Sequence, residues 1–246
     1  MAKAPLPGDV KTRLIPPLTP AQAAQLSACF LQDTAANVVT MGGTECILLY
    51  TPAGAKDAFD GLLPDSFRLL AQRGQTLGER LLNAAADLLA VGYESVCLID
   101  SDSPTLPPEI LKQAISSLAR AGDRVVLGPT EDGGYYLIGL KRPHRSLFDR
   151  IAWSTADVLA HTLERATEVD LEVELLPKWY DVDDLAMLRL LCDELHLSPD
   201  GKIDQDITNV SHREFQNGFF AEHTRNYLMS LIAQSALRSD VLSAAR

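Results

Sequence analysis

The sequence predicts an α/β protein with a mostly parallel central sheet, and two observations support this. Short apolar runs at 46–50, 96–99, 124–127 and 136–140 are typical of strands that are covered on both faces. Segments with helical spacing of apolar residues alternate with these runs. Alternating strands and helices form right-handed crossovers, and such sheets bind ligands at the carboxyl ends of their strands. We therefore expect the functional residues in the loops that leave the strands.

The helices follow from apolar residues spaced three and four apart. The pattern is clearest at 20–39, where Thr19 is placed to cap the helix and Pro20 fits its first turn. The same spacing predicts further helices at 56–62, 77–91, 107–121, 155–167 and 184–195. Two shorter strands are predicted at 67–70 and 172–176.

The composition excludes several classes of protein. The 246 residues include 22 basic and 33 acidic side chains, which gives a net charge of −11, and 46% of the residues are hydrophobic. This excludes a disordered chain, and it excludes a nucleic-acid-coating protein because negative charge repels phosphate backbones. A protein of this size can bury roughly 70% of its surface. Any phosphate-bearing ligand must therefore be held by a local cluster of cations or by a metal.

The sequence also predicts a soluble cytoplasmic protein. No apolar run reaches the roughly 18 residues of a membrane span, and the N-terminus shows no signal-peptide pattern. The four cysteines are far apart and form no C-x-x-C pair, which is typical of buried cysteines in a reducing compartment.

The chain divides into a large domain, residues 1–195, and a C-terminal part, residues 196–246. Residues 196–212 are polar and rich in turn-forming residues, which predicts a connector. Helical spacing resumes at 214–237. We expect this helix to pack on the large domain or on a second copy of the chain, which would form a homodimer.

A cationic loop lies at the N-terminus, directly before the first predicted helix. It carries Lys3, Lys11 and Arg13, together with Gly8, whose missing side chain exposes backbone N–H groups. Cations and exposed amides are what a protein of net negative charge needs to hold a polyphosphate. The alternative is a solvated basic loop without a ligand.

Two acidic loops follow predicted strands. Asp100 and Asp102 come directly after one apolar run, and Asp181 and Asp183 follow the strand at 172–176. Carboxylates in this position suit a hard cation such as Mg²⁺, or Mn²⁺, that bridges to substrate phosphates. A single D-x-D pair is a weak signal, because Asp is also common in turns and helix caps. The acidic loops and the cationic loop together predict a metal–polyphosphate site at one edge of the sheet.

Two further loops have both a functional and a structural interpretation. In the first, Asp132 precedes Gly133 and Gly134, and paired glycines let the backbone approach a ligand closely. The same residues would also form an ordinary hairpin turn. In the second, residues 153–155, a hydroxyl group is placed to contact a ligand or to cap the next helix.

Short motifs in these loops follow one another in a recognisable order. They are Lys3-x-Pro5, Lys11-Thr12-Arg13-Leu14, Gln72-x-Gly74, Leu77-Gly78-Glu79-Arg80, Ser101-Asp102-x-Pro104, Gly128-Pro129, Asp132-Gly133-Gly134-Tyr135-Tyr136, Trp153-Ser154-Thr155 and Asp181-Val182-Asp183. The set resembles a bacterial glycosyltransferase-like family related to the 2-phospho-lactate guanylyltransferases, over about residues 2–192. The resemblance implies the nucleotide-diphospho-sugar transferase (GT-A) fold, a Rossmann-like three-layer sandwich.

The resemblance also implies a role for each loop. The residues implied to hold the phosphates of a nucleotide are Lys3, Lys11 and Arg13. Those implied to contact the base are Gln72 and the backbone of Leu77 and Gly78. Asp102 becomes the main metal ligand, with Asp181 or Asp183 as its partner. Asp100 departs from the family, which usually has a small residue there, and it gives this sequence a fuller D-x-D pair. The turn formed by Asp132, Gly133 and Gly134 becomes the acceptor side of the site.

These roles describe an Mg²⁺-dependent (or Mn²⁺-dependent) transferase that takes a nucleotide or nucleotide-sugar as donor and a small molecule as acceptor. Nucleotidyl transfer and glycosyl transfer share such a site, and the motifs do not decide between them. Lys11 and Arg13 would offset charge on phosphate oxygens in either reaction. Glycosyl transfer would also need a general base, for which Asp132 or Glu131 is available. The alternative is a non-catalytic nucleotide-binding protein that uses the helix at 214–237 as its partner surface.

The start of the chain departs from this family. Its members have an apolar strand that leads into the Lys3 loop, whereas Met1 here falls at the end of that strand. Either the true N-terminus lies upstream of Met1, which we favour, or the protein tolerates an incomplete sheet. We therefore expect a truncated first strand and weak nucleotide binding by this chain alone.

Overall fold

A computed structural model describes residues 1–197, 218–234 and 237, and it confirms the α/β class. The strands are β1 (Ala2–Lys3), β2 (Ile47–Thr51), β3 (Arg68–Ala71), β4 (Val96–Ile99), β5 (Arg124–Pro129), β6 (Tyr135–Leu140) and β7 (Glu172–Leu175). The helices are α1 (Pro20–Val39), α2 (Leu77–Ala90), α3 (Pro108–Ala119), α4 (Val158–Glu168), α5 (Leu185–Glu194) and α6 (Glu222–Ala233). Short 3-10 turns occur at Thr12–Leu14, Lys56–Phe59 and Arg145–Phe148.

The strands lie in two sheets that adjoin near the start of the chain. One sheet is parallel, with the order β1-β2-β3, and the other has the order β4-β6-β5-β7. The terminal ammonium of Met1 donates a hydrogen bond to the carbonyl oxygen of Ile99 at the end of β4 (2.6 Å). The start of β1 therefore lies beside the end of β4, which brings the cationic loop close to the loop that leaves β4.

One strand runs against the expected direction. The apolar run at 136–140 predicts another parallel strand, but β6 is antiparallel to both β4 and β5. A parallel crossover needs about a dozen residues, and the loop 130–134 is too short for one. Because β6 is buried along nearly its whole length, its apolar run does not reveal its direction.

Helix α1 begins with the cap that its sequence predicts. Thr19 Oγ1 accepts a hydrogen bond from the backbone of Gln22 (3.2 Å), and the Gln22 side chain accepts one from the backbone of Thr19 (2.9 Å). Pro20 occupies the first turn, where its missing N–H is not needed.

The C-terminal helix α6 packs against α1. Leu228 of α6 and Phe30 of α1 are fully buried in the same apolar cluster. Asp33 of α1 caps the first turn of α6, because its carboxylate accepts hydrogen bonds from the backbone N–H groups of His223 (3.0 Å) and Thr224 (2.8 Å). The side chain of one helix thus satisfies the exposed amides of the other.

A few element boundaries differ from the predicted ones. Helix α4 begins at Val158, because the Thr155 hydroxyl donates to the carbonyl oxygen of Ala152 (2.7 Å) and holds a turn before the helix. The helix predicted at 56–62 is only the 3-10 turn Lys56–Phe59. Residues 198–217, which include most of the predicted connector, lie outside the described residues. Over the part of the chain that is described, no helix has the length and apolar character needed to cross a bilayer.

Candidate active site

Lys11 lies at the centre of the candidate site. Its Nζ is 2.8 Å from Asp102 Oδ1 and 2.9 Å from Asp183 Oδ1, and its side chain is only 4% exposed. The same ammonium lies 5.5 Å from the centroid of the Phe30 ring. Lys11 has a left-handed backbone (φ 49°), which is uncommon for a residue with a side chain.

The two acidic loops leave the same end of the sheet, because β4 and β7 run in the same direction, although β6 and β5 lie between them. Asp102 follows β4, and Asp183 lies in the segment that follows β7. The backbone N–H of Val182 donates to the carbonyl oxygen of Asp102 (2.9 Å), and the N–H of Trp179 donates to Pro129 (3.1 Å) at the end of β5. These backbone contacts hold the second acidic loop against the first.

The charge of Lys11 is stabilised by its two carboxylate partners. Burial opposes the charged form, but the negative charges of Asp102 and Asp183 outweigh it, so the pKa of Lys11 is raised above its usual range. Lys11 therefore remains an ammonium group at neutral pH, although it is almost completely buried.

The other two acidic residues, Asp100 and Asp181, hold their protons to an unusually high pH. Burial, together with the charges of Asp102 and Asp181, raises the pKa of Asp100 to about 8. Burial, together with the charges of Asp183 and Asp132, raises the pKa of Asp181 to about 6. A nearby positive charge would lower both values, because it would favour the ionised carboxylates. The site therefore offers a favourable electrostatic environment for an additional cation.

Asp100 also shapes the loop that carries Asp102. Its carboxylate oxygens accept hydrogen bonds from the Asp102 N–H and the Ser103 hydroxyl, both at 3.3 Å. This is an Asx turn, in which an Asp side chain satisfies the backbone two residues later. Asp100 therefore orients Asp102.

The donor chemistry of these residues fits a divalent cation. Carboxylate oxygens are the ligands that Mg²⁺ prefers, and Asp102 and Asp183 converge on one point, which the Lys11 ammonium occupies. Among the described residues, no group of three His, Cys, Asp or Glu side chains is arranged to hold a metal ion. The protein thus supplies two converging carboxylates, and further ligands for a metal would come from water and substrate oxygens.

The other two cations of the N-terminal loop, Lys3 and Arg13, are exposed. Lys3 Nζ donates to the carbonyl oxygen of Asp9 (2.7 Å), and Arg13 extends from the turn Thr12–Leu14 into solvent. Gly8 has a positive φ of 84° and no heavy atom near the position of a Cβ. Of the three predicted phosphate-binding cations, only Lys11 is buried among the acidic loops.

The residues predicted to contact a base have clear structural partners. The Gln72 side-chain amide donates to the carbonyl oxygen of Leu49 (2.8 Å) and lies 3.5 Å from that of Ala2. Leu77 is 48% exposed at the start of α2. Gly78 faces Trp153, and a Cβ on it would lie 2.6 Å from the indole Nε1. Gln72 therefore links the first two strands, and Gly78 makes room for Trp153.

The Asp132 turn joins the hairpin to α4. Asp132 Oδ1 accepts hydrogen bonds from the Thr130 hydroxyl (2.5 Å) and the Gly134 N–H (3.1 Å). Gly133 has a φ of 90°, and a Cβ there would lie 2.0 Å from the carbonyl oxygen of Ala156. Gly133 is thus required by the packing of this hairpin, while the Asp132 side chain stays exposed near Asp181.

A buried polar network behind the site has no signal in the sequence. The Thr105 hydroxyl donates to Glu194 Oε2 (2.9 Å), and the Tyr180 hydroxyl donates to the same oxygen. Thr105 lies just after the first acidic loop, and Tyr180 immediately precedes the second. Glu194, at the end of α5, therefore connects the two loops, although in the sequence it reads as an ordinary polar residue of an amphipathic helix.

The comparisons with known proteins confirm the nucleotide-diphospho-sugar transferase fold. The family described as an uncharacterised protein conserved in bacteria (DUF2064) matches residues 34–155. A crystal structure from Desulfovibrio desulfuricans G20, provisionally assigned as a nucleotide-diphospho-sugar transferase, is 32% identical. That match covers 95% of this chain and 94% of that chain, with a TM-score of 0.74.

Two more distant structures are also similar, and the first of them shows the fold alone. The 4-diphosphocytidyl-2C-methyl-D-erythritol synthase of Anaerococcus prevotii DSM 20548 is 12% identical, with a TM-score of 0.51 over 68% of this chain and 86% of that chain. A CMP:2-keto-3-deoxy-manno-octonic acid synthetase complexed with CTP is 10% identical, with a TM-score of 0.47 over 68% and 87% of the two chains. No curated protein matches the chain. The resemblance to the 2-phospho-lactate guanylyltransferases stays a prediction.

Proposed function

The chain belongs to the bacterial DUF2064 family, and we propose that it is a divalent-cation-dependent transferase that uses a nucleotide-activated donor. One observation carries the proposal: a buried lysine and two converging carboxylates, Lys11, Asp102 and Asp183, meet at the edge of the sheet where such folds bind their ligands. The provisional assignment of the Desulfovibrio relative, which matches nearly the whole chain, supports the same class of reaction.

Each group has a defined task under this proposal. Asp102 and Asp183 would hold Mg²⁺ or Mn²⁺, which when bound neutralises charge on phosphate oxygens. Lys11 and the exposed Lys3 and Arg13 bind the phosphates of the donor and stabilise the charge of the leaving group. The contribution of the protein is thus to position the donor and to supply positive charge where negative charge develops.

Two reactions fit this arrangement. In nucleotidyl transfer, a phosphate oxygen of the acceptor attacks the α-phosphorus of a nucleoside triphosphate, and pyrophosphate leaves. In glycosyl transfer, an acceptor hydroxyl attacks the anomeric carbon of a nucleotide sugar, and a nucleoside diphosphate leaves. The exposed Asp132 carboxylate is the group that would accept the hydroxyl proton in the second case.

Phosphorus NMR distinguishes these reactions. The protein is incubated with MgCl₂ and each nucleoside triphosphate in the presence of mixed sugar phosphates, and separately with UDP-sugars and GDP-sugars in the presence of mixed sugars. Pyrophosphate release identifies nucleotidyl transfer, and free nucleoside diphosphate identifies glycosyl transfer. We expect Asp102→Asn to lower the rate at least ~100-fold. Asp193 is an exposed residue on α5, so the control Asp193→Asn removes the same charge and should retain the activity.

The proposal would be contradicted if neither pyrophosphate nor nucleoside diphosphate is released from any donor. If calorimetry detects nucleotide binding but none of the donors is converted, the chain is a non-catalytic nucleotide-binding protein. If Asp102→Asn leaves both binding and turnover unchanged, the acidic loops do not form the site. The cytoplasmic location, the small-molecule acceptor and the homodimer stay predictions of the sequence.

A further inference from the structure

We infer that the Lys11 ammonium is a built-in counterion, which holds Asp102 and Asp183 together before ligands bind and is displaced from them by the divalent cation. This inference rests on the proposed function, because it concerns the regulation of the same site. Under this inference, Lys11 can bind the donor phosphate only after the metal has displaced it from the two carboxylates.

The contacts of Lys11 support the role of a counterion. Its Nζ lies within 3 Å of one oxygen from each carboxylate, and the Lys11 side chain is 4% exposed, whereas those of Asp102 and Asp183 are 35% and 47% exposed. The ammonium therefore lies on the protein side of the pair, and each carboxylate keeps an accessible surface. Without a positive charge at this point, two carboxylates from different loops would repel each other.

The ammonium and a metal ion cannot share these two oxygens. Mg²⁺ binds oxygen ligands at about 2.1 Å, so an ion that takes the same two atoms, Asp102 Oδ1 and Asp183 Oδ1, would lie close to the present position of Lys11 Nζ. Two positive charges at such a separation repel strongly in a partly buried site. Metal binding through these two oxygens thus requires the lysine side chain to move.

A donor phosphate gives the displaced ammonium a new partner. Lysine has a flexible four-carbon stem, and Lys11 belongs to the same loop as the exposed Lys3 and Arg13. A metal ion alone leaves the displaced ammonium without a partner, whereas metal and phosphate together give new partners both to the two carboxylates and to the ammonium. Metal and donor should therefore raise each other's affinity, since coupling between two ligands is reciprocal.

Titration with Mn²⁺ alone tests this inference without any enzymatic assay. Calorimetry is performed on the wild-type protein, on Lys11→Met, and on the control Arg13→Gln. Arg13→Gln removes the same charge from the same loop, but Arg13 does not pair with either carboxylate in the structure. We expect Lys11→Met to bind Mn²⁺ about 10-fold more tightly than the wild type, and Arg13→Gln to differ by less than about 3-fold.

The outcomes separate this inference from the proposed function. If Lys11→Met binds Mn²⁺ no more tightly than the wild type, and the binding depends on Asp102, the counterion role is wrong while the metal site stands. If none of the proteins binds Mn²⁺ at millimolar concentration, the proposed function loses its metal site, and the counterion inference fails with it.

A measurement on the wild-type chain covers the case in which Lys11→Met does not fold. In ¹⁵N-labelled protein, the buried Lys11 ammonium should exchange slowly with solvent and give an observable Nζ signal, identified by its absence from Lys11→Gln. Addition of MgCl₂ should remove that signal as the ammonium moves into water. A signal that persists at saturating Mg²⁺ would overturn the inference.

Discussion

The backbone N–H of Val182 donates a hydrogen bond to the carbonyl oxygen of Asp102 at 2.9 Å. This contact joins two loops that are far apart in the sequence. It involves Asp102 itself and the residue immediately before Asp183, the two residues whose carboxylates pair with Lys11. The positions of Asp102 and Asp183 are therefore coupled through the backbone, independently of any ligand. Substitutions of residues that hold these loops together should lower both the stability of the protein and its affinity for metal. Substitutions elsewhere in the fold should lower the stability alone.

Glu194→Ala should weaken the connection between the acidic loops. The substitution leaves the buried hydroxyls of Thr105 and Tyr180 without their shared acceptor. We expect a loss of about 1–3 kcal/mol in the free energy of unfolding, together with weaker Mn²⁺ binding. Urea denaturation and calorimetry measure the two effects. Asp193→Ala, its exposed neighbour on α5, is the control, and equal behaviour of the two variants would mean that the network does not hold the loops.

Gly78→Ala should destabilise the contact between α2 and Trp153. The added Cβ would lie 2.6 Å from the indole nitrogen, so one of the two groups must move. We expect a cost of about 1–3 kcal/mol in urea denaturation. Gly54→Ala is the matched control, because no heavy atom lies within 4 Å of its Cβ position. In a Trp153→Ala background the cost of Gly78→Ala should largely disappear, and a cost that persists there would show that Trp153 is not its cause.

Asp33→Ala should weaken the packing of α6 on α1. The substitution removes the acceptor for the N–H groups of His223 and Thr224 in the first turn of α6. Loss of such a cap costs about 0.5–2 kcal/mol, and proteolysis near α6 should become faster. Glu222→Gln changes the charge of the same turn but leaves the cap in place. If both variants are cleaved at the wild-type rate, the carboxylate does not secure the helix.

The cost of Asp33→Ala should also depend on pH. Burial raises the pKa of Asp33, and the hydrogen bonds from Thr224 and His223 only partly oppose this. The folded protein then keeps the proton to a higher pH than the unfolded chain does, so the stability contributed by Asp33 decreases as the pH rises from about 4 through the raised pKa. Urea denaturation should show a larger loss at pH 4 than at pH 8. A larger loss at pH 8 would mean that the pKa is lowered instead.

The positions of most strands and helices could be predicted, because apolar spacing is a local property. Thr19 and Pro20 mark the start of α1 in the sequence as in the structure. The direction of β6 could not be predicted in the same way, because a strand that is buried on both faces has the same apolar pattern in either direction. The short loop 130–134 was the available signal, since it allows a hairpin but no crossover.

The candidate site was predictable as a set of loops but not as a set of contacts. Asp100, Asp102, Asp181 and Asp183 stand out because they follow apolar strands, where an α/β sheet binds its ligands. Glu194 does not stand out, because nothing near it in the sequence shows that two buried hydroxyl groups will face it. The partners of a buried carboxylate depend on which elements pack together.

The sequence by itself determined the α/β alternation, the cap of α1 and the strand ends that carry the acidic residues, because each depends on neighbouring residues. Only the tertiary structure decided that Lys11 pairs with both Asp102 and Asp183, since Lys11 and Asp183 are 172 positions apart. The cationic loop and the acidic loops were each recognisable as binding elements. The folded sheet brings them to one point, and there the cation of one loop neutralises the carboxylates of the others.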